Sequence, residues 1–182
     1  MSKTRPAGSR RSNGLRGMAM CLAAIGVLGC SAQPAAQSAS ADSTPTASSP
    51  AIHPVSGLQI IPLQVISGDQ VHEFAVEVAN TPQAQARGMM FRTEMAADEG
   101  MLFPSTVPSV RGFWMKNTPL PLDIIFIGTD DRIINIAAKT EPYSLQSVYS
   151  NGPASAVLEL IGGRAAELGI APGDTVQFSL PE

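Results

Sequence analysis

Residues 58–79 read LQIIPLQVISGDQVHEFAVEVA, and the alternation within them decides the fold class. Leu63 and Val65 before the central Gly68-Asp69 answer Phe74, Val76 and Val78 after it. Alternating apolar residues on both sides of a two-residue Gly-Asp turn predict a β-hairpin, with strands over 58–67 and 70–79. On that pattern His72 points outward.

Downstream, Asn80-Thr81-Pro82 supplies a helix cap with proline at the first helical position, predicting a short helix through Arg87 that Gly88 ends. A second turn or short helix is expected over 93–98. Short apolar segments follow at 101–103, 111–115, 122–127 and 132–138, with Gly128-Thr129-Asp130-Asp131 folding the last two into a second hairpin. A loop over 139–153 precedes a strand at 154–161, a helical turn at 163–168, a Pro172-Gly173 type II turn and a closing strand at 175–180. Seven or eight short strands with two or three short helices predict a mainly β (α+β) domain, a small, partly closed β-barrel.

Upstream the character changes. Residues 1–16 are basic and polar, and 17–29 (GMAMCLAAIGVLG) form an apolar run of 13 that ends at Cys30. Spanning a bilayer takes about 20 residues, so this is a signal-peptide pattern and not a transmembrane helix. Val27-Leu28-Gly29-Cys30 resembles the lipobox of bacterial lipoproteins, which implies lipidation at Cys30 and anchoring by acyl chains. Cleavage after Ala39-Ser40-Ala41 is the competing processing site. Ser31, not aspartate, follows the cysteine, so the expected address is the outer membrane, facing the periplasm. Residues 31–56 hold 20 Ala, Ser, Thr or Pro among 26, with His53 near the end, and are expected to be a flexible tether. The predicted organisation is therefore a signal peptide at 1–29, the lipidated cysteine and tether at 30–56, and one globular domain at 57–182.

The chain of 182 residues has a net charge of −3, but beyond Cys30 it carries 7 basic against 15 acidic groups. That balance speaks against nucleic acid as a partner, because backbone binding rests on neutralising phosphates. Both cysteines, Cys21 and Cys30, precede the folded part, which leaves it without disulfide or thiolate metal cluster.

The densest polar chemistry within apolar surroundings lies in FWMKNTPLPLD, residues 113–123. On a strand through 111–116, Phe113 and Met115 face one way and Trp114 and Lys116 the other. Trp114 offers a flat ring and one donor, Lys116 a cation, Asn117 further donors and acceptors. Asp123 opens the next strand, and Glu159 interrupts an apolar one, where it needs solvent or a partner. The candidate ligand-binding set is Arg87, Trp114, Lys116, Asn117, Asp123 and Glu159, expected to converge in one cleft where opposite charges depress the carboxylate pKa values. The competing view makes them surface charges and a Lys-Asp brace across a turn, worth under about 1 kcal/mol each. Met89, Met90, Met95, Met101 and Met115 fit core gap-filling better than a Cu(I) site. With two histidines, no zinc set and no Ser-His-Asp triad is expected, and no phosphate loop occurs. The expectation is no metal and no cofactor.

Taken together, RGMMFR (87–92), GMLF (100–103), FWMKNT (113–118), LPLDIIF (120–126), Glu141-Pro142, Tyr149-Ser150, VLEL (157–160) and the Gly169-Ile170…Gly173-Asp174 pattern resemble the domain-of-unknown-function 192 family over residues 59–180. The resemblance implies a compact, β-rich, often exported domain without an established activity or cofactor. Departures are the Met89-Met90 pair and Thr140, where methionine is frequent.

Three functions stay in competition. The first is a noncatalytic, periplasm-facing lipoprotein module that binds a small molecule, an envelope polymer or a protein, and contacts the membrane through its lipid. The second is a hydrolase-like enzyme pairing Lys116 or Arg87 with Asp123 or Glu159, and the third a structural envelope protein.

Overall fold

The computed structural model describes residues 51–181, so Cys30 and the segments expected to be a signal peptide and most of a tether lie outside the described residues. The strands are β1 (Ile60–Ser67), β2 (Gln70–Val78), β3 (Glu99–Ser109), β4 (Gly112–Phe113), β5 (Leu122–Gly128), β6 (Ile133–Ala137), β7 (Val148–Tyr149), β8 (Ala154–Ile161) and β9 (Thr175–Phe178). Two short helices join them, α1 (Pro82–Arg87) and α2 (Arg164–Glu167).

Seven strands form one curled sheet in the order β6-β5-β8-β3-β2-β1-β9, and β4 pairs with β7 as a separate ribbon. The first hairpin pairs Ser67 with Gln70 and Leu63 with Phe74, across the expected Gly68-Asp69 turn. The sheet then departs from chain order. β2 and β3 run parallel, linked by a crossover that contains α1, and β3 pairs antiparallel with β8, which pairs with β5. At the far ends, an isolated bridge between Arg132 and Thr175 brings the β6 edge to the β9 edge. Three backbone bonds join them: Ile133 N to Asp174 O and Val176 N to Asp131 O, which make the bridge, and Gly173 N to Ile133 O. The result is the partly closed β-barrel the pattern predicted.

Curling one sheet over itself creates two cores. Leu63, Val65, Phe74, Val76, Leu102, Ile125, Leu158 and Leu160 fill the concave side. Met101, Phe103, Leu122, Ile124, Phe126 and Val157 point to the opposite side, where Met89 and Met115 pack on them. Strands β5 and β8 are thus buried on both faces, which is why LDIIFIG is apolar at nearly every position instead of alternating. Gly100 permits the crowding at the centre: a Cβ there would stand 2.7 Å from Glu159 O and 2.9 Å from Leu160 Cδ2.

Helix α1 forms where its signals lie. Thr81 Oγ1 accepts from Ala84 N at 3.1 Å, Pro82 takes the first turn, and Gly88 ends the helix at φ +48°. Three local expectations are corrected. Residues 93–98, expected as a turn or short helix, form no helix: 93–96 run irregularly and only 97–98 make the turn, closed by Glu99 N donating to Ala96 O. His72 shares the concave face with Phe74 and Val76 and is half-buried, its Nε2 shielded without a partner, because strand parity binds it to those apolar neighbours. His53 belongs to the folded unit: Ile52 pairs with Gln59, and His53 N donates to Leu58 O, so order begins before residue 57.

Candidate functional site

The register across the sheet sets one row of side chains on the convex side: Glu77 opposite Met101, Met101 opposite Glu159, and Glu159 opposite Ile124. Two carboxylates are therefore buried on the same face, two strands or about 10 Å apart. Their surroundings differ. Glu77 accepts two bonds from Arg92 Nη2, at 2.8 and 2.7 Å, and one from Ser56 Oγ, with His53 Nε2 3.6 Å away. Glu159 is 4% exposed, and its Oε2 is shielded without any hydrogen-bond partner. Burial among Met101, Ile124 and the aromatic rings pushes the Glu159 carboxyl up to about 8.

Glu159 forms part of the wall of a cleft of about 270 Å³ roofed by the end of α1 and the ribbon strand β4. Arg87, Met90, Arg111, Phe113, Trp114 and Thr118 also line it. Phe113 packs edge-on against Phe103, ring centroids 5.0 Å apart, and against Phe126 at 6.2 Å, so its ring is fixed. Gly88 brings the chain over that base: a Cβ there would sit 3.4 Å from the Phe103 ring.

Of the six residues expected to converge, Arg87, Trp114 and Glu159 meet around this cleft. Lys116 lies at its edge, Nζ 5.1 Å from the centre of the Trp114 ring. The strand expected through 111–116 is corrected, since β4 ends at Phe113, and Trp114 and Lys116 lie in the irregular stretch and turn that follow it. Asn117 stands behind the lining: its amide points at Met90 Sδ at 3.9 Å, and its carbonyl accepts from Phe91 N at 2.8 Å. Asp123 is on the other side of the sheet. Ile124 is the residue paired with Glu159, and alternation turns Asp123 the opposite way. There Asp123 is fully buried, its Oδ1 accepting from Lys139 N and Gly163 N and its Oδ2 from Ala165 N, each at 2.8 Å. It braces the approach to α2. The expected lowering of the carboxylates is also reversed at Glu159, where desolvation outweighs any attraction from the arginines.

Sequence reasoning missed Arg111. It shares strand parity with Phe113, and its guanidinium stacks on that ring, Cζ 5.6 Å from the centroid. A cation two residues before an inward aromatic on a strand was the available signal. Around the mouth, Phe91, Trp114 and Tyr143 are exposed. Phe91 and Tyr143 hold φ of +67° and +62°, conformations that cost a side-chain-bearing residue about 1–2 kcal/mol. Their N–H groups donate to the carbonyls of Asn117 and Thr118, which stitches three loops together at the rim. The methionines pack as core: Met89, Met101 and Met115 are buried in the convex cluster, with Met95 against it.

Fold and site define a class: a small β half-barrel with one buried carboxyl opening into a convex-side cleft. The chain belongs to the DUF192 family, described as Uncharacterized ACR, whose model matches residues 63–178. It is similar to the crystal structure of a protein of unknown function from Novosphingobium aromaticivorans DSM 12444, at 52% identity and TM-score 0.70, covering 72% of this chain and 94% of that one. It is also similar to a crystal structure from Sinorhizobium meliloti 1021 described as that of a candidate transcription regulator, at 36% identity and TM-score 0.65, over 66% of this chain and 95% of that one. A search of curated proteins finds no match.

Proposed function

We propose that this protein is a small-ligand binding module, held to the outer membrane by a lipid on Cys30 and facing the periplasm, with the Glu159 cleft as its binding site. One observation carries the binding reading, a carboxyl that is shielded, partnerless and part of the wall of an accessible cleft; the anchoring rests on the Val27-Leu28-Gly29-Cys30 pattern alone. A buried polar group without a partner costs about 1–3 kcal/mol, which a bound polar atom recovers. Beside it, Glu77 is fully satisfied by Arg92, so burial of a carboxylate on this face does not by itself leave one unpaired. The aromatic wall of Phe113 and Trp114 with a few polar groups is the usual make-up of a small-molecule site. DNA is a poor fit, since residues beyond Cys30 carry net charge −8.

A small-molecule fragment screen by NMR tests the site. Compounds are expected to shift the Gly88, Phe113 and Trp114 amides together in the wild type and less in Glu159→Met. A screen in which no compound moves those signals refutes it.

A second reading is catalysis, favoured by the Glu159 pKa of about 8, which suits a group that gives and takes protons near neutrality. Hydrolysis of a panel of chromogenic esters, abolished in Glu159→Gln while compound binding persists, is its expected signature. Binding without turnover of any ester supports the noncatalytic module.

A further inference from the structure

Arg111 stands where two depressions meet, the Glu159 cleft and a larger groove of about 640 Å³ along Asn80–Pro82 and Pro104–Ser109. It is half-buried, and all of its contacts are neutral. Nη1 donates to Ser105 Oγ, Nη2 to Gln85 Oε1 at 3.4 Å, and the guanidinium plane rests against Phe113. Its own N–H donates to Ser150 Oγ at 2.9 Å, which fixes the backbone from which the side chain extends.

Among the described residues the ion pairs are Arg92 and His53 with Glu77, and Arg164 with Glu167. Arg111 is in none of them. Arg92 shows how this fold treats a desolvated guanidinium elsewhere, giving it a carboxylate through two bonds. Arg111 is instead aimed and left uncompensated, and burial lowers its pKa accordingly. A planar fork of donors, oriented by neutral neighbours and lacking a counter-charge, is built for a carboxylate or phosphate.

We propose that Arg111 is the anion-holding residue of the cleft and that the occupant is a small organic anion, its charged oxygens on Arg111 and its uncharged body against Phe113 and Trp114. This rests on the cleft being the binding site and adds the chemistry of what enters it. The charged and titratable groups lining the cleft are Arg87, Arg111 and Glu159. Glu159, protonated until about pH 8, presents a neutral donor and no repelling charge. Arg87, exposed at the end of α1, adds a second positive charge at the mouth.

The test compares benzoate with benzamide, which share a ring and differ in charge, with inorganic phosphate as the bare anion. The full chain is titrated while the Arg111 Nε–H and Trp114 indole N–H signals are followed by NMR. Benzoate is expected to shift both signals and to bind at least about tenfold more tightly than benzamide, the size of one charge-assisted bond pair. Phosphate is expected to move Arg111 alone. Arg111→Gln should erase the preference for benzoate, and Arg111→Lys should keep part of it. Equal binding of benzoate and benzamide, with Trp114 shifting in both, overturns the anion assignment and leaves the cleft standing. Silence of both signals with every probe overturns the cleft as well. The wild-type Arg111 signal decides this even if Arg111→Gln does not fold.

Discussion

Glu77 and Glu159 lie in one row across the sheet, and the difference between them is the sharpest physical contrast in the molecule. Unfolded, the Glu159 carboxyl titrates near 4.5; in the fold burial lifts it to about 8. Between those values the unfolded chain has released a proton that the folded chain keeps. Stability therefore falls as pH rises through this window, by roughly 1.4 kcal/mol per unit, and levels off above about 8. Glu159→Gln, uncharged throughout, should match the wild type near pH 4 and grow progressively more stable than it toward pH 8, measured by urea unfolding. Parallel stability curves for the two proteins across that window contradict a buried, proton-holding Glu159. Glu77 predicts the reverse sensitivity, to its partner. Arg92→Met strands a buried carboxylate beside Ser56 and His53, and breaking a buried pair in this way costs about 3–5 kcal/mol. A urea midpoint unchanged by Arg92→Met shows the pair to be dispensable. Both carboxylates were visible in the sequence as acids inside apolar strands. Their different fates were not, because Arg92 and Ser56 reach Glu77 from loops that no local pattern aligns with it.

Among elements, those governed by neighbours in the chain were legible. Thr81-Pro82 and Gly88 bound α1, and β8 spans 154–161 as the apolar pattern predicted. The segment 93–98 offered weaker signals, and its backbone is claimed by tertiary partners instead: Ala75 N bonds to Asp98 O, and Arg164 Nε to Ala97 O. Asp123 illustrates the same point for a side chain. Its position at the start of β5 reads as a ligand, yet its oxygens take three backbone N–H groups, from Lys139 after β6, Gly163 before α2 and Ala165 in the first turn of α2. Asp123→Ala leaves those donors buried and unpaired, at about 1–3 kcal/mol apiece. The expected outcome is a fall in unfolding free energy of more than about 3 kcal/mol, with benzoate affinity unchanged in the protein that remains folded. A benzoate affinity that falls with stability unaltered returns Asp123 to the ligand site.

For the whole molecule, the seam between the β6 and β9 edges is the place where closure is thinnest. Three backbone bonds, two of them making a single bridge, and one side-chain bond from Arg132 to Gly173 O hold it, against far longer ladders between β5 and β8 and between β3 and β8. Regions with few buried contacts and short ladders open first. Hydrogen exchange should therefore run faster at the Ile133, Gly173 and Val176 amides than at those of Ile125 and Leu158. Equal protection makes the closed barrel a single cooperative unit. By itself the order of residues determined the class of fold, the turn positions, the first helix and the stretch from which the aromatic wall is built, because alternation, capping and turn chemistry act over a few neighbours. Only the tertiary structure decided which acids share a face, that Asp123 is a brace, and that Arg111 lines the cleft beside Phe113. Those outcomes depend on the pairing of strands dozens of residues apart, and a shift of one residue in that pairing sends every side chain to the other side of the sheet.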